Sequence, residues 1–144
     1  MSRRAAREAA LQALFQIDIG KTGIENAVAF VVQENELKEK QEQFVSFLVN
    51  GVMQNIEPID RIIREISIEW DIQRMASVDR NILRLALFEI CYSSEVPPNV
   101  AVNEAIELGK TFGSADSGKF INGIVGKVLT NIDRYRKLVD NVEV

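Results

Sequence analysis

Histidine is absent from the 144 residues of this chain. That removes nucleophilic triads with an imidazole base and most zinc sites, although carboxylate and lysine chemistry stay open. Cysteine occurs once, at Cys91, so no internal disulfide and no cysteine-rich metal site can form. This usage fits a reducing compartment, the cytoplasm. No run approaches the ~20 apolar residues that span a bilayer. The start, MSRRAAREAALQALFQ, has arginines but no apolar stretch ending in a small-residue cleavage site. Export and membrane insertion are not expected.

Proline is limited to Pro58, Pro97 and Pro98, and glycine is sparse. Between these turn signals apolar residues recur at helical rather than alternating spacing. With 47% hydrophobic and 26% charged residues the composition is that of an ordinary globular domain. A chain of this length buries roughly two-thirds of its unfolded surface and needs no staple. The fold class is therefore all-α. The spacing predicts about seven helices, near residues 3–18, 24–36, 38–56, 58–68, 78–93, 100–112 and 117–138. Ile68 to Ser77, with Trp70 and Met75, interrupts the pattern and offers Ser77 as an N-cap. The expectation is a single domain, 1–144, made of two helical halves at about 1–76 and 77–144 that pack together.

VDRNILRLALFEICY is apolar on nearly every side of a helical wheel, so the fifth helix should be central. Cys91 reads there as inert filling, and Glu89, on the wheel beside Val78, Ile82 and Leu85, needs a partner if it is buried. The sixth helix turns Val102, Ala105, Ile106, Leu108 and Phe112 inward. Glu104 and Glu107 lack the histidine that would make them a metal or acid–base site, and Lys110 follows Glu107 at the spacing of an intrahelical pair. The acidic group Glu34, Glu36, Glu39 and Glu42 reads as a solvated junction.

A formal charge of −4 excludes a uniformly basic coat but not local patches. Arg3, Arg4 and Arg7 share a third of the first helix with Leu11, Leu14 and Phe15. Cations in a first turn oppose the helix dipole, by about 0.3–1 kcal/mol each when exposed, which a phosphate backbone would offset. Packing of the arginine stems against the surface is the plain alternative. A second basic and aromatic group, Lys110, Phe112, Lys119 and Phe120, flanks the turn after the sixth helix. Aromatic faces stack on unpaired bases while lysines meet phosphates, so single-stranded RNA suits both groups.

The run GSADSGKF superficially matches a nucleotide-binding GxxxxGK[ST] loop. Phe120 stands where a hydroxyl should reach magnesium, and the segment before Gly113 is helical rather than a strand. Gly113 reads instead as the stop of the sixth helix and Asp116 or Ser117 as the cap of the seventh, presenting backbone amides beside Lys119. On the seventh helix Ile121, Ile124, Val125, Val128, Ile132 and Tyr135 form the buried stripe. Lys119, Asn122, Gly123 and Gly126 lie on another face, where two glycines mark close approach by a neighbouring helix or a partner.

These blocks, RRAAREAALQALFQID, W-x3-R-x3-VDRNILRLALFE, VPPNVAVNEAIELGKTFG and DSGKFINGIVGKV, together resemble the NusB family of bacterial transcription antitermination factors over nearly the whole length. The resemblance implies an all-helical fold of two halves and a non-enzymatic adaptor without cofactor or metal. It further implies binding to a boxA-like RNA of ribosomal-RNA leaders, together with the ribosomal protein NusE, within the RNA polymerase antitermination complex. By position, Arg3, Arg4, Arg7 and Phe15, with Asp116, Ser117, Lys119, Phe120 and Asn122, are implied at the RNA surface, and Asp79 and Arg80 at the NusE surface. Phe15 stands where many relatives have tyrosine, which loses a hydroxyl but keeps a stacking face; Gly109 replaces a frequent alanine and Gly126 a frequent aspartate, so contacts by those two side chains do not transfer.

Two other classes compete. One is an accessory module of an rRNA-modifying enzyme, against which the lack of methyltransferase sequence after Val144 is weighed. The other is a nucleotide enzyme using the glycine loop. A homodimer through an empty partner surface is also open.

Overall fold

The computed structural model describes residues 3–67 and 71–142, with side chains to residue 139. Among the described residues there are eight helices and no strand: α1 Arg3–Asp18, α2 Ile24–Glu34, α3 Glu39–Gln54, α4 Ile56–Ile66, α5 Ser77–Cys91, α6 Pro98–Phe112, α7 Ser117–Thr130 and α8 Ile132–Val142. Trp70 lies outside the described residues. The chain divides into two compact units, Met1–Gln54 and Asn55–Val144, so α4 belongs with the second unit rather than the first half. The reason is its apolar face: Ile59, Ile62 and Ile63 are buried, and α4 packs on α5 and α8.

In the first unit α1 packs on both α2 and α3. Its buried face is mostly alanine (Ala6, Ala9, Ala10, Ala13), which combines high helix propensity with close approach. Leu14 on α1 and Leu48 on α3 are fully buried, each contributing about 1.5–3 kcal/mol of hydrophobic transfer. The second helix stops two residues earlier than its periodicity predicts, in a turn where Leu37 N–H donates to Val32 O and Glu36 N–H to Gln33 O. That pairing needs a left-handed residue, and Glu36 supplies it at φ 51° without being glycine. Glu34, Glu36, Glu39 and Glu42 are all exposed there.

The second unit is built round α5, which touches α4, α6, α7 and α8. Every residue from Arg80 to Cys91 is buried, including Glu89 at 2% exposure, as the all-round apolar wheel requires. Its charged side chains are anchored: Arg84 donates from Nε and Nη2 to Asp60 Oδ1 and Oδ2 at 2.9 and 3.0 Å, and from Nη1 to Asn81 Oδ1 at 3.1 Å. This two-pronged pair ties α5 to α4.

Three boundaries differ from expectation for identifiable reasons. The residue before α5 is Ala76, whose methyl side chain has no polar atom to cap with, and Ser77 is already helical. The sixth helix begins at Pro98, because a first-turn proline loses only an N–H that would be unpaired anyway. The last helix divides at Asn131 (φ −124°, ψ 37°), so a single predicted element becomes α7 and α8. The buried stripe nevertheless holds, with Ile121, Ile124, Val125, Val128 and Tyr135 buried and Ile132 partly so.

Candidate functional site

The arginines of α1 do not share one environment. Arg3 and Arg4 are exposed, whereas Arg7 is 3% exposed beneath them. Phe44 of α3 explains the difference, since the Arg3 guanidinium carbon lies 4.5 Å and that of Arg7 5.4 Å from its ring centroid. Both fall in the range of cation–π attraction. Phe47, one turn on and 41% exposed, stacks on Phe44 with centroids 6.3 Å apart. Phe44 and Phe47 therefore belong to the basic end of this unit, although the sequence reading passes over them. Their only signal is aromatic spacing of i, i+3 on a helix distant in sequence. Phe15, at 40% exposure, leaves much of its ring open.

The second group lies in the other unit, at the α6–α7 corner. A backbone hydrogen bond closes α6: Gly113 N–H donates to Gly109 O at 2.9 Å. Gly113 is extended (φ −93°, ψ −167°), so the helix stop uses no left-handed residue. Glycine is required for space instead, because a Cβ there would lie 2.3 Å from Ser117 Oγ and 2.5 Å from Ser117 Cβ. Gly109 is less constrained, since its Cβ would come within 2.8 Å of Ile121 Cδ1 alone, the movable end of a side chain.

Ser117 is 1% exposed and closes the turn from inside: Ser114 N–H donates to its Oγ at 2.9 Å, while Ser117 N–H donates to Ser114 O at 3.1 Å. These two amides are consumed by the chain, so the loop does not present them to an anion beside Lys119, as the helix-stop and cap reading of Gly113 to Ser117 expects. The helical segment before Gly113 likewise removes the strand that a nucleotide loop needs. No side-chain cap bond forms at Asp116, which is exposed.

Round this corner Lys119 and Asn122 are exposed, Phe120 is partly exposed and Phe112 is 37% exposed. Phe112 thus faces outward, unlike Val102, Ala105 and Leu108, which are buried. The wheel places it at the edge of the apolar stripe, where α6 ends and no longer covers it. Lys110 Nζ lies 3.6 Å from Glu107 Oε1, the expected intrahelical pair, with both side chains well exposed. Lys119 has no ion pair among the described residues.

At the start of α5, Arg80 points inward and donates from Nη1 to Ile72 O at 3.1 Å and Met75 O at 3.3 Å, shaping the turn before the helix. Asp79 is half-buried, and its Oδ1 is buried with no hydrogen-bond donor among the described residues. Cys91 is 9% exposed, and burial pushes its thiol up to about 12, opposed weakly by the Arg136 charge. A thiol so protonated is no nucleophile. Among the described residues no cluster of three or more potential metal ligands exists, and no helix is long and apolar enough to cross a membrane.

Comparison with known proteins agrees with these features. The family model described as NusB family matches residues 4–130. The transcription antitermination protein NusB of Pelotomaculum thermopropionicum is 50% identical over 142 residues, covering 96% of each chain. Among solved structures, T. maritima NusB superposes with a TM-score of 0.82 at 33% identity, over 95% of this chain and 92% of that one. A structure of antitermination factors NusB and NusE in complex with dsRNA gives a TM-score of 0.82 at 27% identity, over 90% and 96% of the two chains.

Proposed function

Because this chain belongs to the NusB family, we propose that it is a binding adaptor in transcription antitermination, holding RNA together with NusE and performing no chemical step. The observation that carries this reading is the α6–α7 corner, where an unpaired exposed lysine, Lys119, stands with an outward-facing Phe112 on a turn locked by glycine contacts. A cation and a ring face on a rigid support recognise phosphate and base at once. On α1 the exposed Arg3 and Arg4 make the phosphate contacts, and buried Arg7 shares the Phe44 ring with Arg3. Ser117, also buried, shapes the corner from within.

The RNA is a boxA-like leader element, acting with NusE in the RNA polymerase antitermination complex, and the address is the cytoplasm, where nascent bacterial transcripts are. NusE docks at the start of α5, at the half-buried Asp79, where Arg80 holds the preceding turn in shape. The RNA complex of the structural relative is a duplex, so both single-stranded and duplex boxA-like RNA belong in the test. Affinity is measured against a scrambled control, with and without NusE, across a salt series. Sequence-selective binding that falls with salt and rises with NusE is expected. Absence of RNA preference in either condition overturns the reading. Light scattering of the free protein separates monomer from homodimer.

A further inference from the structure

Beyond the corner, α7 carries an exposed face that the chain itself does not use. Lys119, Asn122, Gly123, Lys127 and Thr130 are exposed and recur at helical spacing, with Gly126 partly exposed between them. Neither Lys119 nor Lys127 has an ion pair among the described residues. Ser117–Thr130 contains no acidic residue at all, in a chain whose net charge is −4. This is a local cationic strip on an acidic protein, a place where a polyanion is attracted despite the negative net charge of the chain.

The two glycines sharpen the point. A Cβ at Gly123 or Gly126 would meet nothing within 4 Å, so among the described residues no neighbouring helix explains them by close approach. Glycine in a helix interior is destabilising relative to alanine, and here no internal packing offsets that loss. Their effect is to leave the helix surface bare between Lys119 and Lys127, which lie about 12 Å apart along the axis. A ligand backbone can therefore approach closely while ammonium groups reach it from either end.

We propose that this face of α7 is a track along which bound RNA continues past the α6–α7 corner, with Lys127 as a phosphate contact at its far end. The proposal rests on the RNA-adaptor reading and extends it to residues outside the corner. Because the contacts are to phosphate, the effect is independent of base sequence and grows with RNA length.

The test is RNA affinity across a length series for the full chain and for Lys119→Ala, Lys127→Ala, Lys137→Ala and the Gly123→Ala/Gly126→Ala double variant. Lys127→Ala is expected to weaken long RNA by about fivefold, to spare the shortest, and to reduce the salt slope by about one. Lys137, an exposed lysine of α8, serves as the control and should have no effect. The double glycine variant should melt at a higher temperature yet bind RNA less tightly, a combination that a purely structural role does not give. Wild-type protein that binds no RNA overturns the adaptor reading and the track with it. RNA binding that Lys119→Ala weakens but Lys127→Ala leaves unchanged overturns the track alone. Equal losses for Lys127→Ala and Lys137→Ala, meaning diffuse attraction, also overturn it, as do glycine variants that weaken only NusE binding.

Discussion

The Arg3 guanidinium sits 4.5 Å above the ring of Phe44, so the exposed cation of α1 is aimed by an aromatic side chain of α3. Attraction of this kind contributes about 0.5–1 kcal/mol at an exposed position. Phe44→Leu keeps most of the apolar volume and removes the ring. It should weaken RNA binding by about two- to fivefold, and a double-mutant cycle with Arg3→Ala should show that the two losses are not additive. Additive losses would mean that Phe44 does not position Arg3.

Lys110 is partly neutralised by Glu107 at 3.6 Å. Exposed pairs of this type are weak, so Glu107→Gln should barely change stability. It should strengthen RNA binding by about 1.5- to fivefold at low salt, with the gain fading as salt screens it. Titration at two ionic strengths checks this, and weaker binding in the variant would place Glu107 itself in contact with RNA.

Asp60 is a different case, because its partner Arg84 is buried with it. Asp60→Ala leaves a buried guanidinium without its carboxylate and should destabilise the protein by about 3–5 kcal/mol. The double change Asp60→Leu/Arg84→Met, which removes both charges, should recover most of that loss. Urea denaturation of the two variants makes the comparison.

Stability should fall at alkaline pH. In the unfolded chain Cys91 ionises near 9.0, whereas in the fold burial holds it to about 12. Between those values the native state keeps a proton that the unfolded state has lost, so the unfolding free energy falls by about 1.4 kcal/mol per pH unit for this group. Burial, with Glu65 adding to it, raises Tyr135 in the same direction. Cys91→Ala should flatten the pH dependence of urea unfolding between pH 9 and 11, and an unchanged slope would remove Cys91 as its source.

Glu36 holds a left-handed conformation that glycine adopts freely. Glu36→Gly should stabilise the first unit by about 0.5–1 kcal/mol, since the turn itself is unchanged. Thermal unfolding measures it, and a lower melting temperature would show that the glutamate side chain contributes more than its backbone strain removes.

Periodicity made the helices and most of the core legible, because apolar spacing is a local property of the chain. The division at Asn131 was hidden, since the apolar stripe runs through from Ile121 to Tyr135 while the backbone turns between them. Arg7 shows a second limit. Its place on the stripe was readable, but its burial depends on Phe44, a residue of another helix that no pattern within α1 could supply. Gly113 shows a third: a helix stop was evident, yet the need for glycine comes from contact with Ser117 and not from the backbone angle. The positions of Lys119 and Asn122 on the surface followed from spacing, whereas the outward turn of Phe112, which the apolar stripe of α6 placed inside, and the pairing of Phe47 with Phe44 below the arginines did not.

The glycine contacts at the α6–α7 corner divide the labour between scaffold and surface. Gly113 bears on Ser117 and on the Gly109 carbonyl, and substitution there disturbs packing, whereas a Cβ at Gly109 would displace only the end of the Ile121 side chain. Phe112, Lys119 and Asn122 look outward from the same turn and carry little of the core. Ligand preference can thus drift through exchange of those three residues, one at a time, while the crossing of the two helices is inherited unchanged.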